Sequence, residues 1–161
     1  MNLINVAAVV TGGGSGLGRA TARALAQRGA RVGVIDLDEG AATAVANGID
    51  GLAIACDVSD AESAASAVDQ VIEQFGVPRI LINCAGIGVA ARIVGRDGPH
   101  SLDLFAKVIR VNLIGTFNLL RLVSAHMVAL EPITESGGRG VIVNTASVAA
   151  YEGQVGQAAY S

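Results

Sequence analysis

The sequence predicts a three-layer α/β fold, in which a doubly wound parallel sheet carries helices on both faces. Short apolar runs alternate along the chain with longer segments of helical periodicity. Repeated strand–helix units imply a parallel sheet, because the crossover connections are right-handed. A chain of 161 residues that is 52% apolar is long enough to form one domain with its own core.

Five apolar runs have the length of buried parallel strands, at residues 6–10, 31–36, 51–55, 80–83 and 141–145. Helical periodicity marks residues 17–27, 38–47, 60–75 and 102–130. Ser59 is predicted to cap the third of these helices, with Glu62 as its capping-box partner. Residues 86–100 and 131–140 are predicted to be loops, and a further helix is predicted to begin near Gln157.

Composition and charge narrow the possible functions. The net charge is −3 with no basic cluster, which argues against a nucleic-acid partner. Cys56 and Cys84 lack metal-ligand spacing, so we expect no metal site and a reducing, cytoplasmic compartment. The N-terminus lacks the features of a signal peptide. Polar residues interrupt the apolar segment 102–130, which predicts a buried helix and no membrane span.

The glycine-rich stretch Thr11–Gly18 follows the first strand directly. Gly12, Gly16 and Gly18 fit the spacing T-G-x-x-x-G-x-G, in which glycine lets a diphosphate approach the backbone. A strand, a glycine turn and a helix N-terminus together form an anion site, with amides near Ser15 and Leu17 as donors. The alternative is an ordinary strand-to-helix turn.

Asp36 ends the second predicted strand, 18 residues after Gly18. A carboxylate in this position can accept hydrogen bonds from the hydroxyls of an adenosine ribose, and it would repel a 2′-phosphate. Leu37 follows Asp36, at a position where a basic residue would instead favour a 2′-phosphate. These residues predict NAD as the cofactor, and the alternative is that Asp36 only caps the next helix.

The ends of the other strands also carry polar or small residues. Asp57 and Val58 are predicted to contact adenine, although Asp57 could equally be a turn residue. The segment Asn83, Cys84, Ala85 and Gly86 is predicted to approach a ribose, although Asn83 could instead tie neighbouring strands together.

At the end of the fifth strand, Ser147 precedes Tyr160 by 13 residues. Both hydroxyls could hydrogen-bond one carbonyl oxygen of a substrate.

Together, these residues resemble the short-chain dehydrogenase/reductase family. The matching parts occur in the family's order and are Thr11–Gly18, Asp36, Asp57, Val58, Asn83–Gly86, Asn112, Ser147 and Tyr160. The resemblance implies a Rossmann-like sheet and an NAD-dependent oxidoreductase. It also implies a homo-oligomer, either a dimer or a tetramer.

The resemblance also implies a role for each catalytic position. Tyr160 would be the general acid/base, and Ser147 would hydrogen-bond the same substrate oxygen. Asn112 would hold a water in a proton relay, and the alternative is an asparagine satisfied in the core. Gln157 would contact the substrate.

Within the family, the run Val141–Ser161 resembles the type II 3-hydroxyacyl-CoA dehydrogenases. It therefore implies an acyl-CoA-like small-molecule substrate. Other readings stay open: a reductase of 3-oxoacyl carrier proteins, polyols or steroids, an NAD-binding protein without catalysis, or a purely structural domain.

The family places a lysine four residues after the tyrosine, whereas this sequence ends at Ser161. A phenol that acts as a base near neutral pH needs a nearby cation. We therefore expect residues 1–161 to form a single NAD-binding domain that is the N-terminal two-thirds of a longer protein, with its C-terminal part missing. Proton transfer by these residues alone should be weak.

Overall fold

The computed structural model describes residues 2–96 and 98–161. Its strands are β1 (Ala7–Thr11), β2 (Arg31–Asp36), β3 (Leu52–Ala55), β4 (Ile80–Asn83), β5 (Val94–Gly95), β6 (Gly98–Pro99) and β7 (Val141–Asn144). Five of them form one parallel sheet in the order β3-β2-β1-β4-β7. Strands β5 and β6 form a separate antiparallel hairpin.

The helices are α1 (Gly16–Ala26), α2 (Glu39–Asn47), α3 (Ala61–Phe75), α4 (Leu102–Ile109), α5 (Thr116–Met127) and α6 (Ala149–Glu152). A π-helical segment, Arg110–Gly115, joins α4 to α5. Helices α1 and α2 pack on one face of the sheet, and α3 and α5 pack on the other. The predicted doubly wound, three-layer α/β fold is therefore confirmed.

The alternating directions of the side chains in β1 explain why both faces are covered. Ala8 and Val10 point into the cluster under α1 and α2, whereas Val9 points into the cluster under α3 and α5. All three side chains are fully buried. A central strand of this kind has no polar face, which is why its sequence is a continuous apolar run.

Several predicted boundaries need correction. The predicted loop 86–100 contains the β5–β6 hairpin, and its position 97 lies outside the described residues. Helix α6 was not predicted from the sequence. Near Gln157 the chain forms turns, and one helix-type bond runs from the Ser161 N–H to the Gln157 carbonyl at 2.8 Å.

The predicted cap of α3 was wrong by one residue. Asp60 is the N-cap, and its side chain accepts a hydrogen bond from the Ser63 N–H at 2.7 Å. Ser59 is engaged elsewhere, because both its N–H and its hydroxyl donate to the Asp57 carboxylate. Serine and aspartate are both good caps, so local pattern alone could not separate the two positions.

The long helical stretch Leu102–Met127 is only partly buried. By length and composition it could cross a membrane, a test that core helices also pass. Leu119, Val123 and Met127 pack against α3 and the sheet, as predicted for a core helix. The opposite face, with Leu113 and Phe117, is exposed, so the expectation of a buried helix holds for one side only.

Candidate active site

The glycine turn between β1 and α1 combines two close packings with one open position. A Cβ on Gly12 would lie 2.8 Å from the Ala85 nitrogen, and one on Gly18 would collide with the Gly12 carbonyl. For Gly16, no atom of the described residues lies within 4 Å of the Cβ position. Gly12 and Gly18 are therefore required for packing, whereas Gly16 leaves backbone accessible to a ligand.

The N-terminus of α1 faces this open space. Ser15 is the N-cap residue, and among the described residues its hydroxyl caps no amide of the helix. The first-turn N–H groups carry the positive end of the helix dipole. Free amides beside an accessible glycine are the arrangement that binds phosphates at helix N-termini, and phosphate binding here stays a prediction.

Asp36 is held against the glycine turn. Its Oδ2 accepts a hydrogen bond from the Gly14 N–H at 2.9 Å, and its Oδ1 accepts one from the Asp38 N–H at 3.1 Å. Asp38, and not Asp36, caps α2 by accepting from the Ala41 N–H at 3.0 Å. The capping alternative for Asp36 is therefore wrong. A carboxylate has about four acceptor positions, so Asp36 retains capacity for ligand hydroxyls.

A groove of about 440 Å³ runs along these strand ends. Its lining includes nearly all the residues predicted to bind a cofactor: Gly12, Ser15, Gly16, Leu17, Gly18, Asp36, Leu37, Asp57, Val58, Cys84, Ala85 and Gly86. Burial raises the pKa of the Cys56 thiol, which also lines the groove, and so keeps it protonated.

Three further residues of the groove were not predicted: Ile87, Lys107 and Val111. Lys107 is the single lysine of the chain and the one cation among the described side chains that line the groove, whose lining also includes Asp36 and Asp57. Its uniqueness was the only sequence signal that could have drawn attention to it. The groove thus combines this cation with the α1 N-terminus, and both favour negative charge.

Asn83 differs from its prediction. It is 3% exposed and lies outside the lining of the groove, and its Nδ2 donates to the Asn144 Oδ1 at 2.9 Å, which ties β4 to β7. This placement favours the strand-tying alternative and does not support a cofactor contact. The Thr11 hydroxyl has a related role that the sequence analysis missed, since it accepts from the N–H groups of Cys84 and Ala85, both at 3.1 Å.

A second cavity, of about 260 Å³, contains the three residues predicted to be catalytic. Asn112, Ser147 and Tyr160 all line it, although they come from the π-helical segment, the β7–α6 loop and the last residues of the chain. The Ser147 Oγ accepts a hydrogen bond from the Ala149 N–H at 3.3 Å. The edge of the Tyr160 ring lies 3.9 Å from the position that a Cβ on Gly88 would take.

The two cavities are adjacent. Cys84, Ala85, Gly86 and Ile87 line both of them. The groove therefore leads to the segment beside which Ser147 and Tyr160 lie. This shared lining is the main geometrical feature of the site.

Asn112 fixes the wall between the two cavities. Its Oδ1 accepts from the Ile87 N–H at 2.8 Å, and its Nδ2 donates to the Ile87 carbonyl at 2.9 Å. Both polar groups of the side chain thus bind the backbone of Ile87. This is what the alternative interpretation requires, namely an asparagine whose hydrogen bonds are satisfied within the protein. The proton-relay role of Asn112 stays a prediction.

Gln157 does not line the second cavity. Its backbone forms an isolated bridge with Ala91, and its Oε1 is buried without a hydrogen-bond partner among the described residues. The predicted contact of Gln157 with the substrate is therefore not supported. Its neighbour Gly156 accepts from the Ala91 N–H at 2.7 Å, which anchors this segment to the loop after β4.

Comparison with known proteins agrees with this geometry. A family described as short chain dehydrogenase matches residues 6–161. The chain belongs to the short-chain dehydrogenase family. The match includes both cavities and every strand of the parallel sheet.

Individual short-chain dehydrogenases resemble it along almost its whole length. The 3-hydroxyacyl-CoA dehydrogenase type-2 of Bos taurus is 46% identical over 96% of this chain and 60% of its own length. The protein of the same name from Drosophila melanogaster is 44% identical, over 98% of this chain and 63% of its own length. The crystal structure of 3-hydroxyacyl-CoA dehydrogenase type-2 from Mycobacterium avium has a TM-score of 0.90 and 39% identity, and the match covers 99% of this chain.

This short-chain dehydrogenase chain spans between 60% and 64% of the length of those three relatives. The similarity therefore covers the glycine turn, the groove and the second cavity.

Proposed function

We propose that the protein is an oxidoreductase that transfers a hydride between NAD(H) and a secondary alcohol or ketone. The observation that carries this proposal is that the two cavities are adjacent and share the lining segment Cys84–Ile87. One cavity has a phosphate cradle and an acidic residue, and the other has two hydroxyls suited to a single oxygen. Bound NAD(H) would supply the hydride chemistry, while the protein positions and polarises the reactants.

In this proposal the preference for NAD over NADP comes from Asp36. Its carboxylate lies beside Gly14 and is followed by the exposed Leu37. An added 2′-phosphate would bring negative charge close to the carboxylate without a cation at position 37. Among the described residues that line the groove, Lys107 carries the one positive charge.

Tyr160 and Ser147 would act on the substrate oxygen. In ketone reduction the Tyr160 hydroxyl would donate a proton to the oxygen, and the Ser147 hydroxyl would hydrogen-bond it. In alcohol oxidation, Tyr160 would take the proton back. Asn112 holds Ile87 in place within the segment that lines both cavities.

As the substrate pair we propose 3-hydroxyacyl-CoA and 3-oxoacyl-CoA. The names of the relatives and the run Val141–Ser161 support this choice. We further propose a cytoplasmic protein without nucleic-acid or membrane partners, which the composition and charge support. The family resemblance supports a homo-oligomer.

Two measurements test the proposal on the purified protein. NADH should bind with enhanced fluorescence and NADPH should bind much more weakly, whereas absence of NADH binding would refute the cofactor assignment. Acetoacetyl-CoA should then be reduced with consumption of NADH. If NADH binds and acetoacetyl-CoA is inert, consumption of NADH with a 3-oxoacyl carrier protein or a ketosteroid, or reduction of NAD with a polyol, identifies another substrate class. Turnover of none of them supports an NAD-binding protein without catalysis.

A further inference from the structure

A buried asparagine on α5 holds the loop that joins β3 to α3. Asn118 is 4% exposed, and its Nδ2 donates to the Val58 carbonyl at 2.9 Å and to the Asp60 carbonyl at 3.1 Å. Both hydrogens of the amide are therefore used on one short loop, 58 to 60 residues away in sequence. A buried amide with satisfied donors is a specific constraint, because its loss leaves the Val58 carbonyl without this partner and the Asp60 carbonyl with the Ala64 N–H alone.

Arg121 fixes the orientation of this amide. Its Nε and Nη2 donate to the Asn118 Oδ1 at 3.0 and 2.6 Å. A guanidinium has only donors, so it can bind the oxygen and not the nitrogen of the amide. The Nδ2 is consequently directed at the loop and cannot exchange places with the Oδ1.

The same helical region also packs against the loop. A Cβ on Gly115 would lie 2.5 Å from the Val58 Cγ2, so glycine permits this close approach. Val58 is thus held through its carbonyl by Asn118 and through its side chain by the backbone at Gly115. Val58 and its neighbour Asp57 line the groove, whereas Asn118 and Arg121 do not.

We propose that Asn118, oriented by Arg121, is a positioning residue for the part of the groove that binds the adenosine half of the dinucleotide. It acts through Val58 and Asp57, and it sets the affinity for the cofactor but not the rate of hydride transfer. This inference rests on the proposed function, because it requires the groove to bind NAD(H).

The test uses Asn118→Asp in the full chain, because this change keeps the size of the side chain. It replaces the two donors by an acceptor that faces two carbonyl oxygens, while the pairing with Arg121 is retained. We expect the Kd values of NADH and of AMP to rise about tenfold, which corresponds to about 1.4 kcal/mol. The kcat at saturating NADH should stay within about twofold, and amide exchange of residues 57–60 should accelerate.

Arg121→Met is the second variant, because Arg121 is exposed and its replacement should not prevent folding. It removes the orienting donors, and we expect the Kd values of NADH and AMP to rise about threefold. Met127→Ala is the matched control. Met127 is buried on the same helix, but it packs beneath Gly140 and away from the loop. It should lower the Tm without changing either Kd.

Each outcome has a clear consequence. Unchanged Kd values in a folded Asn118→Asp variant would overturn the inference. If that variant does not fold, unchanged Kd values in the Arg121→Met variant would overturn the inference. If Met127→Ala lost as much affinity for NADH and AMP, the effect of Asn118 would be explained by its contribution to stability alone. Failure of the unmodified protein to bind NADH would overturn the proposed function itself, and with it this inference.

Discussion

Gly14 and Asp36 are joined by a hydrogen bond of 2.9 Å from the backbone N–H to the carboxylate Oδ2. This bond connects the turn after β1 to the end of β2, so the phosphate cradle and the acidic residue form one unit. A Cβ on Gly14 would lie 2.9 Å from the same oxygen, and glycine is therefore needed for the close approach. The pairing also fixes where the charge of Asp36 lies in the groove.

The first prediction concerns the charge of Asp36. Asp36→Asn keeps an oxygen for the Gly14 N–H but removes the negative charge. We expect the Kd of NADH to rise about tenfold, or about 1.4 kcal/mol, and the Kd of NADPH to fall. Titrations with both cofactors check this.

Asp38→Asn is the matched control, because asparagine caps a helix about as well as aspartate. It removes a carboxylate two residues away and should leave both Kd values unchanged. An unchanged ratio of NADH to NADPH affinity in Asp36→Asn would exclude Asp36 from cofactor selection.

The second prediction separates two glycines of the turn. Gly18→Ala should destabilise the fold, because its methyl group would collide with the Gly12 carbonyl. Gly16→Ala should cost about 1–2 kcal/mol of stability, since φ is +48° there. Its methyl group would occupy the open space of the groove. The loss of binding free energy for NADH should therefore exceed the loss in the free energy of unfolding.

Thermal unfolding and NADH titration of both glycine variants provide the measurements. A Gly16→Ala variant that binds NADH normally would contradict the assignment of this open position to the cofactor.

The third prediction concerns Lys107. Lys107→Gln should raise the Kd of NADH a few-fold and make binding less sensitive to salt, because the groove loses a cation that attracts the anionic cofactor. Arg110→Gln is the control, since Arg110 is exposed, lies nearby in the chain and does not line the groove. Equal effects of the two substitutions would indicate only a change in net charge.

The sequence predicted those site residues that follow buried strands directly. Asp36 and Asp57 could be found because a polar residue after an apolar run lies at the carboxyl edge of a parallel sheet. Ser147 and Tyr160 are separated by 13 residues, so the pair alone was a weak signal, and the family resemblance assigned a catalytic role to each.

Other features depend on contacts between distant residues and have no local signature. The Thr11 hydroxyl meets the Cys84 and Ala85 amides more than 70 residues away, and Asn118 meets Val58 60 residues away. Asn83 shows the converse, since its position at a strand end suggested a ligand contact but its partner is Asn144. Residue type and position alone could not decide whether its amide faced the groove or the neighbouring strand.

The last prediction compares the two cysteines. Cys84 is partly exposed and lines both cavities, whereas Cys56 is buried and its thiol has a pKa raised by that burial. Only thiolates react readily with iodoacetamide, so Cys84 should be alkylated first at pH 8. Bound NADH should slow the reaction, because the cofactor would cover Cys84. Peptide mass spectrometry with and without NADH measures both effects, and Cys84→Ser should abolish the protectable label. Faster labelling of Cys56 would contradict the expected order of reactivity of the two thiols. A labelling rate at Cys84 that NADH leaves unchanged would place the cofactor away from the junction of the two cavities.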